Sequence, residues 1–322
     1  MLIYSTTIGL QNAEGITVDD LTIQYVDLAG NVTSVWEPDS NAGEVLTLPE
    51  DESGIIGTDG NDTLCVAFSE AYTEDYLPRF FGAIRLGDGD DLADVEIFGP
   101  NIDGGLGNDT IVSFGIDGRI LGGDGDDLIV TYALNYIEGG DGNDTISGGE
   151  AEQIFGGAGD DVLSASTAGI YDSHGVLDGG TGDDTITAYS AIGHWSNFAS
   201  VDVIAGDGAD VVDLQLYMSD GYSEDTSPQS PTSTTTAISL SDFDADEDSL
   251  LIQINRAEEN EDREMISAEI ISTESEYQGR LSTRSDIVMR FAGTETSGAH
   301  TATIRLGADV YLTIDDIVFV QN

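Results

Sequence analysis

The sequence predicts an all-β chain whose central part winds into a right-handed parallel β-roll, a kind of β-solenoid, with β-rich caps at both ends. Three observations carry this expectation. A glycine–aspartate pattern of nine residues recurs eight times between residues 57 and 213. Apolar residues bracket every copy at constant offsets. The charge is extreme: 62 Asp and Glu face nine basic residues, all Arg, for a formal net charge of -53 in 322 residues.

Internal repetition in a glycine-rich chain is the first signal to weigh. The copies are "GTDGNDTLC" from Gly57, "LGDGDDLAD" from Leu86, "GGLGNDTIV" from Gly104, "GGDGDDLIV" from Gly122, "GGDGNDTIS" from Gly139, "GGAGDDVLS" from Gly156, "GGTGDDTIT" from Gly179 and "AGDGADVVD" from Ala205. Position six is always an acid: Asp62, Asp91, Asp109, Asp127, Asp144, Asp161, Asp184 and Asp210. Position four is always glycine: Gly60, Gly89, Gly107, Gly125, Gly142, Gly159, Gly182 and Gly208. An unvaried glycine points to a backbone conformation or a closeness of approach that a Cβ forbids.

Two residues after each sixth-position Asp stand Leu64, Ala93, Ile111, Ile129, Ile146, Leu163, Ile186 and Val212. Seven residues before it stand Ile55, Ile84, Ile102, Ile120, Ile137, Ile154, Leu177 and Val203. Each turn is thus clamped between two inward-pointing side chains. A disordered acidic tract has no reason to keep that phase.

Successive sixth-position Asp residues lie 29, 18, 18, 17, 17, 23 and 26 residues apart. A period near 18 suits one coil of a flattened solenoid: a six-residue turn, a short strand, an irregular turn and a return strand. At the usual inter-strand spacing of about 4.8 Å, eight stacked turns make a column roughly 35 Å tall. The longer gaps read as loops on the opposite edge, at 67–83 and 188–200.

Such stacking raises an electrostatic problem. Between residues 101 and 217 there are 21 Asp and Glu against Arg119 alone. Carboxylates about 5 Å apart repel strongly without counter-charge. A hard divalent cation between turns removes the repulsion, and calcium, which takes six to eight oxygens in flexible geometry, fits glycine-rich turns better than magnesium. Zinc is not expected, since Cys65, His174, His194 and His300 form no ligand spacing. The alternate half-coils "SFGIDG" (113–118) and "TYALNY" (131–136) lack the turn pattern, so a single row of calcium-binding turns is expected.

The copies from Gly104, Gly122, Gly139, Gly156 and Gly179 match the nonapeptide G-G-x-G-x-D-x-U-x at every fixed position, and the chain resembles the repeats-in-toxin family, also called hemolysin-type calcium-binding repeat proteins. The resemblance covers about half of the chain and implies that each calcium sits between stacked turns. It would take sixth-position carboxylates from both turns, carbonyls of positions two and four from one, and carbonyls of positions one and three from the next. The ion between the third and fourth turns would then use Gly105, Gly107 and Asp109 with Gly122, Asp124 and Asp127. The next would use Gly123, Gly125 and Asp127 with Gly139, Asp141 and Asp144. Before them, Gly87, Gly89 and Asp91 would face Gly104 and Leu106, with Asp62 starting the row. After them come Gly140 and Gly142 with Gly156, Ala158 and Asp161, then Gly157 and Gly159 with Gly179, Thr181 and Asp184, and last Gly180 and Gly182 with Asp207 and Asp210.

The domain reading follows: an N-terminal β cap at 1–54, the calcium-binding roll at 55–218, a flexible linker at 219–235 rich in Ser, Thr and Pro, and a β-rich C-terminal cap at 236–322. In the first cap "LTIQYVD" and "NVTSVWE" read as a hairpin. The last segment resembles the end region of type I secretion substrates, which implies export to the extracellular space through an uncleaved C-terminal signal; no N-terminal signal is expected. The acidic balance argues against nucleic acid as partner, and no apolar run is long enough for a membrane span.

The expected function is that of a secreted calcium-binding repeat protein, structural or adhesive and non-catalytic, folding where calcium is abundant and meeting an extracellular matrix or polysaccharide. No catalytic residue is assigned. The alternative is a polysaccharide-modifying β-solenoid of lyase or epimerase type, with His194, Trp195 and Phe198 beside Tyr132, Tyr136 or Tyr171. Neither H-E-x-x-H nor G-x-S-x-G occurs. Position three shows no rank of Thr, which speaks against ice binding.

Overall fold

The structure is a computed structural model that describes residues 7–9, 23–26, 32–36, 45–47, 55–57, 60–66, 83–95, 99, 101–113, 118–132, 135–150, 153–166, 174–192, 200–218, 234–256, 265–277, 280–291, 300–307 and 310–321. Of the loops expected at 67–83 and 188–200, residues 67–82 and 193–199, with His194, Trp195 and Phe198, lie outside the described residues, as do Tyr171 and most of the linker. Residues 188–192 are not loop but the end of a strand, Thr185–Ile192, because they continue the ladder in register with the neighbouring strand. The chain is all-β; one 3-10 turn at Ile314–Asp316 is the helical exception among the described residues. It forms two compact units, Met1–Gly159 and Asp160–Asn322.

The first unit opens with β1 (Thr7–Gly9), β2 (Ile23–Val26), β3 (Val32–Trp36) and β4 (Val45–Thr47). β2 and β3 pair antiparallel, as the hairpin reading expects, with Ile23 opposite Trp36. Coils follow. β5 (Ile55–Ile56) precedes β6 (Thr63–Val66), β7 (Ile84–Asp88) precedes β8 (Leu92–Val95), β9 (Asn101–Leu106) precedes β10 (Thr110–Ser113), β11 (Gly118–Asp124) precedes β12 (Leu128–Thr131), and β13 (Asn135–Asp141) precedes β14 (Thr145–Glu150) and β15 (Gln153–Ala158). Odd-numbered strands from β5 to β15 stack in parallel on one another. Even-numbered strands from β6 to β14 do the same in a second ladder. β1 lies antiparallel beside β6, with β4 beyond it, so the first even-numbered edge is paired rather than open.

Register explains burial. Ile102, Ile120, Ile137 and Ile154 are successive Cα partners in one ladder, while Ala93, Ile111, Ile129 and Ile146 are partners in the other. All eight are buried. Side chains along a strand alternate between faces, so fixing one apolar position per strand fixes the whole inward face. β11 shows the result: Ile120 and Gly122 are buried, whereas Arg119 is exposed and Leu121 half-buried.

The second unit repeats the plan with β16 (Val162–Ser166), β17 (His174–Thr181), β18 (Thr185–Ile192), β19 (Ser200–Ile204), β20 (Val211–Met218), β21 (Thr234–Ser241), β22 (Ser249–Arg256), β23 (Met265–Tyr277), β24 (Arg280–Phe291), β25 (His300–Leu306) and β26 (Ile317–Gln321). β16, β18, β20, β22 and β26 form one parallel ladder. β17, β19, β21 and β25 form the other, which β24 and β23 extend antiparallel. Both ladders run on past residue 218, so the coils continue into the segment read as the C-terminal cap. Their core continues as well: Leu163, Ile186, Val212 and Leu250 stack in register, as do Leu177, Val203 and Leu240.

A buried rung and its exposed neighbour should respond very differently to truncation. Ile129→Ala is expected to lower unfolding free energy by about 2–5 kcal/mol, the cost of emptying a packed aliphatic site. Leu128→Ala, at a side chain 41% exposed, should stay within about 0.5 kcal/mol. Chemical denaturation of both variants measures the difference, and equal losses would contradict the register.

Candidate metal centre

The turn from Gly122 to Asp127 shows how the sequence builds the site. Gly123 and Gly125 have φ of 127° and 134°, in the region that L side chains avoid. A Cβ on either would also collide with the carbonyl of the glycine stacked before it, Gly105 or Gly107. At Gly122 the φ is ordinary, yet a Cβ there would drive into Asp127 Oδ2 and the Gly139 carbonyl. Turns of this kind stack backbone on backbone, with a carboxylate oxygen and the next turn's carbonyl oxygen converging on one small cradle. Two acceptors face each other there.

The sixth-position aspartates form a hydrogen-bonded row. In the first unit the N–H of Asp62 donates to Asp91 Oδ1 (2.6 Å), that of Asp91 to Asp109 (2.8 Å), that of Asp109 to Asp127 (2.7 Å) and that of Asp127 to Asp144 (2.8 Å). In the second unit Asp161 donates to Asp184 and Asp184 to Asp210, each at 2.8 Å. These side chains are only 1–3% exposed. The second carboxylate oxygen is another matter: Oδ2 of Asp91, Asp109, Asp127, Asp184 and Asp210 is buried without a hydrogen-bond partner. Buried acceptors are almost always satisfied, so a repeated orphan of one atom type points to a missing donor or cation.

Burial sets the protonation of the row. Loss of solvent pushes the Asp91 and Asp127 carboxyls up to about 7, and those of Asp109, Asp144 and Asp184 up to about 6, with neighbouring carboxylates adding to the rise in each case. Asp210 is raised by the same causes. The backbone N–H bond to Oδ1 opposes the shift without cancelling it.

Other predicted positions take different places. The third-position carbonyls of Leu106, Asp124, Asp141, Ala158 and Asp207 accept N–H bonds from the fourth-position glycine of the preceding turn, as Gly107 donates to Asp124 at 2.7 Å. Their side chains point outward, with Leu106 48% exposed. The fifth position builds a second, exposed row of opposite polarity. Here each side chain accepts from the following turn, as Asn108 Oδ1 does from the N–H of Asp126 (2.8 Å) and Asp126 Oδ1 from that of Asn143 (2.8 Å). Sequence reasoning missed Asp248, whose Oδ1 accepts the N–H of Asp210 (2.9 Å) and extends the row by one half-buried member. Only the aliphatic Leu250 two residues later could have signalled it.

Among the described residues no three Asp, Glu, His or Cys side chains gather as a ready ligand set. A site between turns would draw on two carboxylates and several backbone carbonyls instead. Such an all-oxygen donor set, with glycine cradles and orphaned Oδ2 atoms, suits a hard cation such as calcium and does not suit zinc.

Searches of protein-family models, curated proteins and solved structures find no match to this chain.

The raised carboxyls give the metal-free roll a definite pH dependence. An unfolded Asp titrates near 3.9, while Asp91 and Asp127 titrate at about 7 in the fold. Ionisation therefore disfavours the folded state. In excess chelator, stability should be lowest above about pH 8 and rise as pH falls through about 7 and 6 toward about 4. Thermal melts followed by circular dichroism across that range measure it; a roll that weakens on acidification would refute the assignment.

Proposed function

We propose that this chain is a secreted calcium-binding repeat protein of the repeats-in-toxin type, whose β-roll folds when calcium enters between its turns, and which acts as a structural or adhesive element. The observation that carries this reading is the buried row of aspartates with orphaned Oδ2 atoms beside glycine cradles. Asp109, Asp127 and the carbonyls of Gly105, Gly107 and Gly122 would hold one ion, and Asp127, Asp144 and the carbonyls of Gly123, Gly125 and Gly139 the next. When bound, calcium supplies the positive charge that the row lacks; the protein supplies pre-stacked oxygens and excludes water from them.

Export and metal binding then form one mechanism. Where calcium is scarce, the row cannot ionise inside the fold at low cost and a chain of net charge -53 resists compaction. Where calcium is millimolar, ligand binding becomes folding free energy. Passage through a one-step exporter would use the unfolded form.

A second reading, a polysaccharide-modifying enzyme, draws on one observation. On the second unit exposed His174 lies between Ser200 Oγ (2.8 Å from Nδ1) and Asp202 Oδ2 (3.1 Å from Nε2), an arrangement able to move a proton. Against it, an acidic sugar calls for a cation, and Arg119 in the first unit is already engaged by Glu138 (3.5 Å) and lies over the Tyr136 ring. Assay of wild type and His174→Ala on alginate and pectin separates the two readings: turnover lost in the variant would favour the enzyme.

Calcium titration of the chelated chain should raise β-sheet circular dichroism cooperatively, and a spectrum already fully β-rich in chelator at neutral pH would sink the proposal. Asp127→Asn should move the calcium midpoint further than Asp62→Asn, because Asp127 serves two neighbours and Asp62 stands at the start of the row.

A further inference from the structure

In the second unit the outer face of the even-numbered ladder carries side chains that the fold itself does not call for. On β20, Leu214 and Leu216 are buried in the core, so Asp213, Gln215 and Tyr217 point away from it. On β22 the buried Ile252 and Ile254 leave Gln253 and Asn255 on the same outer side. Register brings these residues together: Tyr189 of β18, Gln215 and Gln253 are successive Cα partners, and Tyr217 is the partner of Asn255. Asp and Asn are depleted in strands, where a pleated surface gives them little to pack against. Their place in mid-ladder calls for another reason.

Hydrogen bonds hold the group in one arrangement. Gln215 and Gln253 each donate from Nε2 to Asp213 Oδ2, at 3.0 and 2.8 Å. Tyr217 Oη and Asn255 Nδ2 each donate to Gln215 Oε1, both at 3.5 Å. The rings of Tyr189 and Tyr217 lie 6.3 Å apart, 30° from parallel, and Tyr217 is 46% exposed. Stacked amides stiffen a pile of strands without any ligand. They do not account for a pair of rings beside them with one ring open to water.

Charge narrows the class of partner. Among the described outward positions of β18, β20 and β22, Asp213 is the one charged residue, in a chain that carries 62 acids. Nucleic acid and acidic sugars need cations, and the described residues of this face supply none. A neutral sugar chain needs what the face does supply. Tyrosine rings offer apolar area to the C–H side of a pyranose and a hydroxyl at the rim, while side-chain amides, like sugar hydroxyls, both donate and accept. Groups already fixed by one another lose little further freedom on binding.

We propose that this face binds a neutral polysaccharide, with Tyr189 and Tyr217 as its apolar platform and Gln215, Gln253 and Asn255 as partners for hydroxyl groups. The proposal deepens the adhesive reading and rests on it, naming the surface and the chemical class of what is held. A sugar chain laid across the strands meets Tyr189, Gln215 and Gln253 in succession, about 4.8 Å apart.

The test is native electrophoresis of the calcium-loaded full chain through gels containing hydroxyethyl cellulose, galactomannan or xylan, with carboxymethyl cellulose as the anionic counterpart. At least one neutral polymer should retard the chain, and carboxymethyl cellulose should retard it less than hydroxyethyl cellulose does. Tyr217→Ala should weaken the retarding interaction about tenfold or more at unchanged circular dichroism, and Tyr217→Phe, which keeps the ring, should stay within about threefold. On the wild-type chain, which needs no variant to fold, the retarding polymer should protect Tyr217 from nitration by tetranitromethane. Tyr311, 83% exposed and outside this face, should stay reactive. No retardation by any neutral polymer, stronger retardation by the anionic one, full binding by Tyr217→Ala, or no protection of Tyr217 each overturns the inference. Such a chain could still fold on calcium, which would leave the calcium reading standing. Conversely, a chain retarded by a neutral polymer whose β-sheet spectrum ignores calcium keeps this inference and sinks that reading.

Discussion

The constraint on which the molecule depends is the burial of like-charged carboxylates in a row, where Asp91, Asp109, Asp127, Asp184 and Asp210 each have Oδ1 satisfied and Oδ2 without a hydrogen-bond partner. The Oδ1 bonds are favourable and geometrically specific, since each ties a side chain to the backbone of the preceding coil. The Oδ2 atoms and the loss of solvent work the other way. A roll of this kind is therefore well specified in shape and poorly stabilised in charge. Its hydrophobic interior cannot make up the difference freely, because a flattened coil buries few side chains per turn: one or two aliphatic residues on each strand face the inside.

That balance accounts for much of the composition. In the full turns glycine is needed at three places for distinct reasons, two of them the positive φ and close approach at Gly123 and Gly125, the third the cradle at Gly122. Asparagine alternates with aspartate in the outer row at Asn61, Asp90, Asn108, Asp126 and Asn143. The same hydrogen bond forms with either residue, and neutral members space the charges apart. The chain has no Lys to spend on internal neutralisation; Arg119, a rare cation in the coils, sits on the outer face.

The coils between Ile84 and Val212 were legible because two independent periods agreed, the turn motif and the flanking aliphatic positions. Ile120 and Ile129 could be named as inward-facing from sequence, and both are fully buried. The turn's inner geometry was less legible. Nothing in the letters tells that Asp127 bonds through one oxygen only, or that the Asp124 carbonyl already accepts an amide. The later coils were hidden because β22, β25 and β26 follow turns without the glycine pattern. Their signal is the aliphatic spacing alone, Leu240 to Leu250, which any β cap would share. Asp248 went unrecognised for the same reason: an extra residue in its turn shifts it out of phase with the motif.

The two side-chain rows run in opposite senses, the buried one passing its hydrogen bonds from each backbone to the coil ahead and the outer one from each backbone to the coil behind. Within the first unit every middle coil thus presents the same donors and acceptors above as its neighbour expects below. A segment such as residues 122–138 is, in joinery terms, a tongue-and-groove plank. Genetic duplication or loss of one plank would leave matching faces on either side of the join, so chain length in this architecture is free to drift by whole coils, whereas an insertion inside a glycine turn breaks the backbone-on-backbone match.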